Sequence, residues 1–475
     1  MRKITAALLA VFLLSAAGCS CGGSAGGQNT PGGDQAANSD RLSVDAFFYD
    51  YSDTYIGSVR SSMESLLKDE KDLFSYTFYD GASDQSTQTE QIETAVTRGS
   101  DLLVVNVVTT GSDEASQTII QNASAQNIPV IFFNREVSDD IINSYENCLF
   151  VGTDADEAGY MQGQMIAEYL MTGDNAQRCD INGDKKIAYV MFRGELGNAE
   201  AYGRTRYSVE NANLMLEQAG SDYRLTPSAA NQYDPTQDDD GVSRYYLYGN
   251  WSATTAKNLM DTALTTYSLD NGDIEMVIAN NDDQALGAIE AMNELGYNSG
   301  DQSRSIPVFG VDATSVAREA IQAGNMSGTI EQDARGMSEA ILHFARNIAE
   351  GRQLKDGMED FHVDEDVDKV RISYHIFTGD NSGTAASGTD TSGGDARSAG
   401  DGSPRVFSGH SGADGMGGVE GDYANDGRTG GASIGSADNA NGGSDRIRSG
   451  KSGADAGNAA SNSGSGSGGG IYNAQ

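Results

Sequence analysis

The feature that most constrains this chain is a regular alternation of two patterns between residues 41 and 380. Short apolar runs rich in β-branched and aromatic residues, such as LSVDAFFY, DLLVVNVV, IPVIFFN, KIAYVMFRG and IPVFGVD, alternate with amphipathic stretches such as EAGYMQGQMIAEYLM and DQALGAIEAMNEL. Alternating strands and helices form parallel sheets with right-handed crossovers. Because this region is longer than one doubly wound core, we predict an α/β fold with two Rossmann-like lobes.

The N-terminal residues have the pattern of a targeting signal. Residues 1–18 contain two basic residues, an apolar stretch and then small residues. The small residues end at Cys19, and the sequence AAGC resembles a bacterial lipobox, which predicts that Cys19 is lipidated. The alternative is an ordinary secretory signal cut near Gly18. Either signal predicts an extracytoplasmic protein, and the lipobox predicts one anchored to the cell membrane, at the bacterial cell surface or in the periplasm.

Two further segments are rich in small polar residues and poor in apolar ones. Residues 19–41 predict a flexible tether between the anchor and the lobes. Residues 380–475 predict a disordered Gly/Ser/Asp-rich tail, because such a composition buries too little apolar area to offset its ordering entropy. Of the 59 glycines in the chain, 26 lie in residues 381–475, which places the compositional boundary near residue 380.

Charge and cysteine content exclude some functions. The formal net charge of −38 is incompatible with binding to nucleic-acid phosphates. Of the four cysteines, Cys148 and Cys179 lie far from the N-terminal pair. Nothing in the sequence places these two within bonding distance, so we expect no disulfide between them.

Several apolar runs end in polar residues. Asn134 follows VIFF, Asn281 follows VIAN, and Asp312 follows VFGV. In open α/β sheets, ligands bind beyond the carboxyl ends of the strands, and amides with carboxylates suit a ligand with many hydroxyl groups. Such residues also form turns and helix caps, which is the alternative for each of them. Trp251, the single tryptophan, precedes a predicted helix, where it either stacks on a sugar ring or packs in the protein.

The segment CDINGDKKI begins like the calcium loop of an EF-hand. Asp180, Asn182 and Asp184 alternate as its first three ligands do. The pattern then fails, because Lys185 occupies the glycine position, and Ala188 and Met191 occupy the ninth and twelfth positions. A chance run of turn-forming residues is the alternative.

Taken together, these segments resemble the bacterial galactose/glucose-binding proteins, which are receptors of sugar ABC importers. The resemblance runs collinearly from about residue 42 to residue 378 and includes YSDTYIGSVR, NIPVIFFNRE, FVGTDADEAGYMQG, DINGDKKI, RGELGNAEAYGRTRY and GNWSATTAKNLMD. It implies two lobes joined by a three-crossing hinge, with the ligand between them. The implied N-terminal lobe is residues 42–151 plus 334–370, and the implied C-terminal lobe is residues 152–333 plus 371–379.

The resemblance also implies the residues that contact the sugar. Asp53 matches the acidic residue at the hydroxyl where glucose and galactose differ, and Tyr55 and Trp251 match the aromatic residues that stack on the two ring faces. The remaining implied contacts are Asn134, Asn198, Glu200, Arg204, Asn281, Asp312 and Gln332. Three of these depart from the family, in which His, Asp and Asn occupy the positions of Asn198, Glu200 and Gln332. These changes alter reach and leave the preferred sugar open.

For the EF-like segment, the resemblance implies a structural Ca²⁺ whose final bidentate ligand comes from a distant strand. That residue is Glu275, so Met191 is no longer an objection to a metal site. The implied ligands are the side chains of Asp180, Asn182, Asp184 and Glu275 and the backbone carbonyl of Lys186. Ala188 supplies no side-chain oxygen, and Lys185 in place of the turn glycine would be strained if the turn requires a positive φ angle.

The implied function is capture of D-galactose or D-glucose, or of another monosaccharide, and delivery to an ABC permease complex in the membrane. We expect a monomer that is not an enzyme. A glycosidase would need two carboxylates flanking a scissile bond, and an enclosed monosaccharide site leaves no room for an aglycone. A sugar sensor that presents its closed form to a chemoreceptor or sensor kinase is the remaining alternative.

Overall fold

Fifteen strands and eleven α-helices are found in the part of the chain that the computed structural model describes, residues 41–236 and 241–379. The strands are β1 (Leu42–Phe48), β2 (Phe74–Asp80), β3 (Leu102–Val105), β4 (Val130–Phe133), β5 (Cys148–Gly152), β6 (Lys186–Arg193), β7 (Arg224–Pro227), β8 (Gln232–Tyr233), β9 (Tyr245–Tyr248), β10 (Met276–Ala279), β11 (Val308–Asp312), β12 (Gly328–Gln332), β13 (His362–Val363), β14 (Lys369–Arg371) and β15 (Tyr374–Phe377). The helices are α1 (Thr54–Asp69), α2 (Gln85–Arg98), α3 (Glu114–Ser124), α4 (Asp139–Asn143), α5 (Ala155–Met171), α6 (Asn175–Cys179), α7 (Ala199–Gln218), α8 (Ala253–Leu264), α9 (Asp282–Asn293), α10 (Ser315–Gln322) and α11 (Ala334–Ala349).

The strands form two sheets in which most neighbours are parallel. The first sheet has the order β13-β14-β5-β4-β3-β1-β2, and only β13 and β14 pair antiparallel among its described strands. The second has the order β15-β12-β11-β10-β6-β9-β8, with β7 also paired to β6. Its antiparallel pairs are β12 with β15 and β8 with β9. The predicted α/β fold with two lobes is therefore confirmed.

Strand β1 illustrates why the apolar runs form central strands. Val44, Ala46 and Phe48 face one apolar core, while Phe47 faces the core on the other side of the sheet. A strand buried on both faces needs apolar residues at successive positions, as this run has. The buried exception, Asp45, accepts a hydrogen bond from Tyr79 and pairs with Arg98.

The chain passes between the two sheets three times, after β5, after β12 and between β14 and β15. After the first passage, α5 packs against α7 beside the second sheet. After the second, α11 returns to the first sheet and packs against α1. These passages place the carboxyl ends of both sets of strands on the two sides of one cleft.

Several predictions fall outside the described residues. They are the signal segment, the tether up to residue 40, lipidation at Cys19 and the tail from residue 380. Within the described part, Cys148 and Cys179 are buried free thiols, and no helix combines the length and apolar character that crossing a bilayer requires.

Candidate functional site

A cavity lies where the carboxyl ends of strands from both sheets meet. It contains about 360 Å³ of empty space, counting its open mouth. Thirteen residues line it: Tyr49, Asp53, Tyr55, Ile56, Asn134, Arg135, Asn198, Glu200, Arg204, Trp251, Asn281, Asp312 and Gln332. All ten residues that the sequence suggested for sugar contact are among these thirteen.

Three lining residues were not anticipated from the sequence, namely Tyr49, Ile56 and Arg135. Tyr49 directly follows β1, and Arg135 directly follows Asn134, so both occupy the strand-end positions where ligands are expected. That position was the available signal. An isolated tyrosine or arginine in a loop carries no such signal by its type alone.

Three of the predicted residues begin helices that point at the cavity. Asp53, Asn198 and Asn281 are the N-caps of α1, α7 and α9, and each side-chain oxygen accepts a backbone N–H three residues further on. Capping fixes these side chains at the cavity wall, and the helix N-termini add positive potential there. The capping alternative is thus correct for Asn281, and at all three residues capping coexists with a position in the cavity wall.

Three residues of the same wall have an unusual backbone conformation. Asn134, Trp251 and Asp312 have φ angles of 60°, 63° and 114°, a region that residues other than glycine rarely adopt. Strained backbone of this kind is common where a binding site over-determines side-chain direction. Here it places an amide, an indole and a carboxylate at the ends of β4, β9 and β11.

Arg204 is held rigidly on the floor of the cavity. Its guanidinium donates to the Asn280 carbonyl at 2.9 Å, to Gln332 Oε1 at 3.2 Å and to Tyr374 Oη at 3.1 Å. Burial opposes the charge of Arg204, but the neighbouring Tyr374, Glu200 and Asp312 raise its pKa above the ordinary value. Among Asp53, Glu200 and Asp312, only Asp312 lies within ion-pair distance of it, at 3.8 Å. Ion pairing of Arg204 with these three carboxylates is therefore limited to Asp312.

Asp53 is instead held within the first lobe. Its Oδ1 accepts the backbone N–H of Ile56 at 2.8 Å, and its Oδ2 accepts the hydroxyl of Tyr49 at 2.6 Å. Tyr49 thereby fixes the orientation of this carboxylate toward the cavity. This contact assigns a positioning role to a residue that the sequence did not single out.

Two lining carboxylates have no hydrogen-bond donor among the described residues. Glu200 is 6% exposed, and within residues 41–236 and 241–379 its carboxylate accepts no hydrogen bond and forms no ion pair. Asp312 likewise accepts no hydrogen bond from the described residues. Burial raises the pKa of both carboxyl groups, and Arg204 counteracts that rise. Oxygens in this position are available to accept hydrogen bonds from a ligand.

Two aromatic residues contribute apolar surface from opposite lobes. Tyr55 is almost fully buried in α1, with its hydroxyl 3.8 Å from Met337 Sδ. Trp251 packs over Gly194, where any Cβ atom would collide with the indole. The Trp251 carbonyl also accepts the Asn281 side-chain amide at 3.1 Å, which ties the indole segment to α9.

The 180–188 loop has the turn geometry of a calcium loop but uses its oxygens internally. Asp180 accepts the backbone N–H groups of Asp184 and Lys185, and Asp184 Oδ1 accepts that of Lys186 at 2.8 Å. Lys185 has a φ angle of 67°, the left-handed conformation for which glycine is preferred, and its ammonium contacts Tyr223. The predicted strain at Lys185 is therefore present.

Glu275 closes this loop from the adjacent strand end. Its Oε1 accepts Ile181 N–H at 2.7 Å and its Oε2 accepts Ala188 N–H at 2.8 Å. Burial raises the pKa of Glu275, although these amide hydrogen bonds lower it. Its Oε1 would also lie only 2.8 Å from a Cβ atom at Gly272, so the carboxylate is confined.

These residues offer fewer oxygens than a complete calcium loop. Ca²⁺ needs six to eight oxygens, and Ala188 provides none where an EF-hand has its ninth position. Across residues 41–236 and 241–379, no group of three His, Cys, Asp or Glu side chains is arranged to hold a metal ion. Calcium binding by Asp180, Asn182, Asp184, Lys186 and Glu275 stays a prediction of the resemblance alone.

Comparisons with known proteins agree with the fold. Residues 46–353 match the family described as periplasmic binding protein domain. The D-galactose/methyl-galactoside binding periplasmic protein of Haemophilus influenzae is 30% identical over 338 residues, which are 70% of this chain and 89% of that protein.

Solved structures support the same fold. A carbohydrate transporter solute binding protein from Chloroflexus aurantiacus, in complex with D-glucose, is 18% identical with a TM-score of 0.54 and covers 72% of this chain and 94% of its own. An ABC transporter solute binding protein from Clostridium phytofermentans with bound β-D-glucose is 21% identical with a TM-score of 0.53, and covers 71% of this chain and 94% of its own. At such identities the likeness is one of fold. The family match and the Haemophilus relative together show that the chain belongs to the periplasmic binding protein family, whose members are solute-binding proteins and not enzymes.

Proposed function

We propose that this protein captures a hexose, D-galactose or D-glucose, in the interlobe cavity and delivers it to an ABC importer. The observation that carries the proposal is the convergence of ten residues, which are scattered from Asp53 to Gln332 in the sequence, on one cavity. The galactose-binding relative and the two glucose-bound structures named above support the same ligand class.

The polar groups of the cavity suit a neutral ring with many hydroxyls. Glu200 and Asp312 provide acceptors to which no residue of the described part of the chain donates. Asn134 and Asn198 provide amide donors, because their oxygens already accept hydrogen bonds from Asn106 and Ala201. A hydroxyl both donates and accepts, so a polyol can satisfy both sets at once. Tyr55 and Trp251 offer surfaces for the C–H faces of the ring.

Binding would favour closure of the two lobes. Asp53, Tyr55 and Asn134 belong to the first lobe, whereas Arg204, Trp251 and Asp312 belong to the second. A sugar touching both sets has a higher affinity for the closed form and shifts the protein toward it. The closed form is then the state that the permease complex recognises.

Calorimetric titration with a panel of sugars tests the proposal. We expect binding of D-galactose or D-glucose at least tenfold tighter than of D-xylose, D-ribose and myo-inositol, because a smaller or differently substituted ring leaves buried groups unpaired at about 1–3 kcal/mol each. If a pentose or an inositol binds more tightly than either hexose, that compound and not a hexose is the ligand. No heat with any polyol would refute the proposal.

We also propose that Cys19 carries a lipid that anchors the protein outside the cytoplasm, as a monomer. The lipobox-like AAGC is the supporting observation. Growth with a radiolabelled fatty acid should label the wild type and leave Cys19→Ala unlabelled and released. Equal labelling of both would refute the anchor.

We propose that the ABC permease is the partner that binds the closed form. A chemoreceptor or a sensor kinase is the alternative. Deleting the gene should abolish uptake of the radiolabelled sugar. Normal uptake with a lost response to the sugar would favour the sensor.

A further inference from the structure

An ion pair joins the two lobes at the mouth of the cavity. Arg135 follows β4 in the first lobe, and Glu195 follows β6 in the second. Their side chains form a hydrogen-bonded ion pair across the cleft. The Arg135 side chain is 4% exposed and that of Glu195 is 29% exposed, so the pair is partly shielded from solvent and from salt. Among the described residues, it is the ion pair that links the two sheets across the cavity.

Arg135 is oriented for this contact by its own lobe. Its guanidinium carbon lies 4.1 Å from the centre of the Tyr49 ring, a cation–π contact that helps to hold the side chain in place. Tyr49 in turn donates to Asp53 Oδ2. A chain of contacts therefore connects the cavity wall of one lobe to the loop of the other, running from Asp53 through Tyr49 and Arg135 to Glu195.

Two neighbouring contacts also span the cleft without involving the cavity. Thr54 Oγ1 donates to Asp283 Oδ2 at 2.8 Å. The backbones of Gly111 and Gly197 meet so closely that a Cβ atom at Gly111 would lie 2.9 Å from the Gly197 carbonyl oxygen. The closed arrangement thus has its own contacts, to which a bound sugar adds.

We propose that Arg135 and Glu195 form a latch that stabilises the closed form independently of the sugar and thereby tightens binding of every ligand by the same factor. This rests on the proposed function only for the identity of the ligand. The apparent dissociation constant equals the intrinsic dissociation constant divided by the fraction of protein in the closed, binding-competent form. Arg135 and Glu195 act as positioning residues, because they raise that closed fraction.

The test compares Glu195→Gln with the wild type. Gln keeps the size of the side chain and removes its charge, and the loop position of Glu195 leaves both cores intact. We expect the dissociation constants for D-galactose and D-glucose to rise by the same factor, about 10-fold, in the range of typical coupling between sites. Trp251, the single tryptophan, reports binding in stopped-flow fluorescence, where the dissociation rate should rise and the association rate should change little.

A matched control variant and a double-mutant cycle separate the contribution of the Arg135–Glu195 ion pair from other effects of the substitutions. Glu64→Gln removes an ion pair with Lys68 within α1 that does not cross the cleft, and it should leave both constants unchanged. Arg135→Gln and the double variant complete a double-mutant cycle, in which loss of one partner should make loss of the other nearly silent. Unequal factors for the two sugars would overturn the latch in favour of a direct sugar contact, and unchanged constants in Glu195→Gln would overturn it outright.

X-ray scattering of the sugar-free protein separates the latch from the proposed function. The latch predicts a smaller closed fraction, and so a larger radius of gyration, in Glu195→Gln than in Glu64→Gln. This result would stand even if no hexose bound, in which case only the proposed function would fail. Identical scattering curves would refute the latch.

Discussion

The cavity and the 180–188 loop contain the same kinds of polar side chains but use them in opposite ways. In the cavity, Glu200 and Asp312 are buried and accept no hydrogen bond from the described residues. In the loop, Asp180 and Glu275 are occupied by backbone amides. Oxygens that face the cavity without donors from the described residues can accept hydrogen bonds from a ligand, whereas oxygens that bind amides stabilise the chain itself. The difference indicates a ligand site in the first region and a structural closure in the second.

Glu275→Gln should have the largest effect and should act on stability. The side-chain amide of Gln would place N–H groups against the N–H of Ile181 or Ala188, leaving buried donors unsatisfied. We expect a loss of about 3 kcal/mol in the free energy of unfolding, measured by urea denaturation, with sugar affinity nearly unchanged. Glu217→Gln, at the exposed end of α7, is the control and should cost little. Wild-type stability in Glu275→Gln would contradict the structural reading of this loop.

Glu200→Gln should have the opposite effect, in that it should lower sugar affinity and leave stability nearly unchanged. This carboxylate accepts no hydrogen bond within residues 41–236 and 241–379, so its replacement should leave the free energy of unfolding unchanged or slightly higher. Sugar affinity should fall about 10- to 100-fold, since a charged hydrogen bond contributes roughly 1.5–3 kcal/mol. Titration calorimetry and denaturation on the same preparation measure both quantities. Lowered stability with unchanged sugar affinity in Glu200→Gln would contradict this assignment and indicate a structural role for Glu200.

Asp282, at the start of α9 beside Asp312, predicts a pH effect on the sugar-free protein. Burial raises the pKa of Asp282 from 3.8 to about 7, although Thr329 and Thr314 donate hydrogen bonds to it. The folded state therefore binds this proton more tightly than the unfolded state, and stability should rise as the pH falls from about 7 toward 4. The slope should be on the order of 1 kcal/mol per pH unit. Denaturation of Asp282→Asn should lack this component, and an identical pH profile in the variant would exclude Asp282 as its source.

Calcium should have the smallest effect. Because the loop oxygens already bind amides, we expect 1 mM Ca²⁺ or excess chelator to shift the midpoint of thermal unfolding by less than about 1 °C. Ca²⁺ at a free concentration 100 times its dissociation constant would stabilise the folded state by about 2.7 kcal/mol, which would raise the midpoint of thermal unfolding by several degrees. An upward shift of that size would restore the site that the resemblance implied, and would mean that Glu275 exchanges its amide partners for metal.

Some of the cavity could be read from single positions in the sequence. Asn134, Asn281 and Asp312 end apolar strands, and parallel strands bring such ends together at one edge of a sheet. Arg135 and Tyr49 occupy equivalent positions but were not singled out. Their roles depend on the ion pair with Glu195 and the hydrogen bond to Asp53, which exist only after folding.

The sequence alone determined the α/β class and the alternation of strands and helices, because burial on two faces and on one face leaves distinct local periodicities. It also marked the residues that, by resemblance, would meet a sugar. Only the tertiary structure decided which of their oxygens remain available. Hydrogen-bond satisfaction is a three-dimensional property: a Glu at position 200 and a Glu at position 275 differ in what surrounds them, and no local pattern records that.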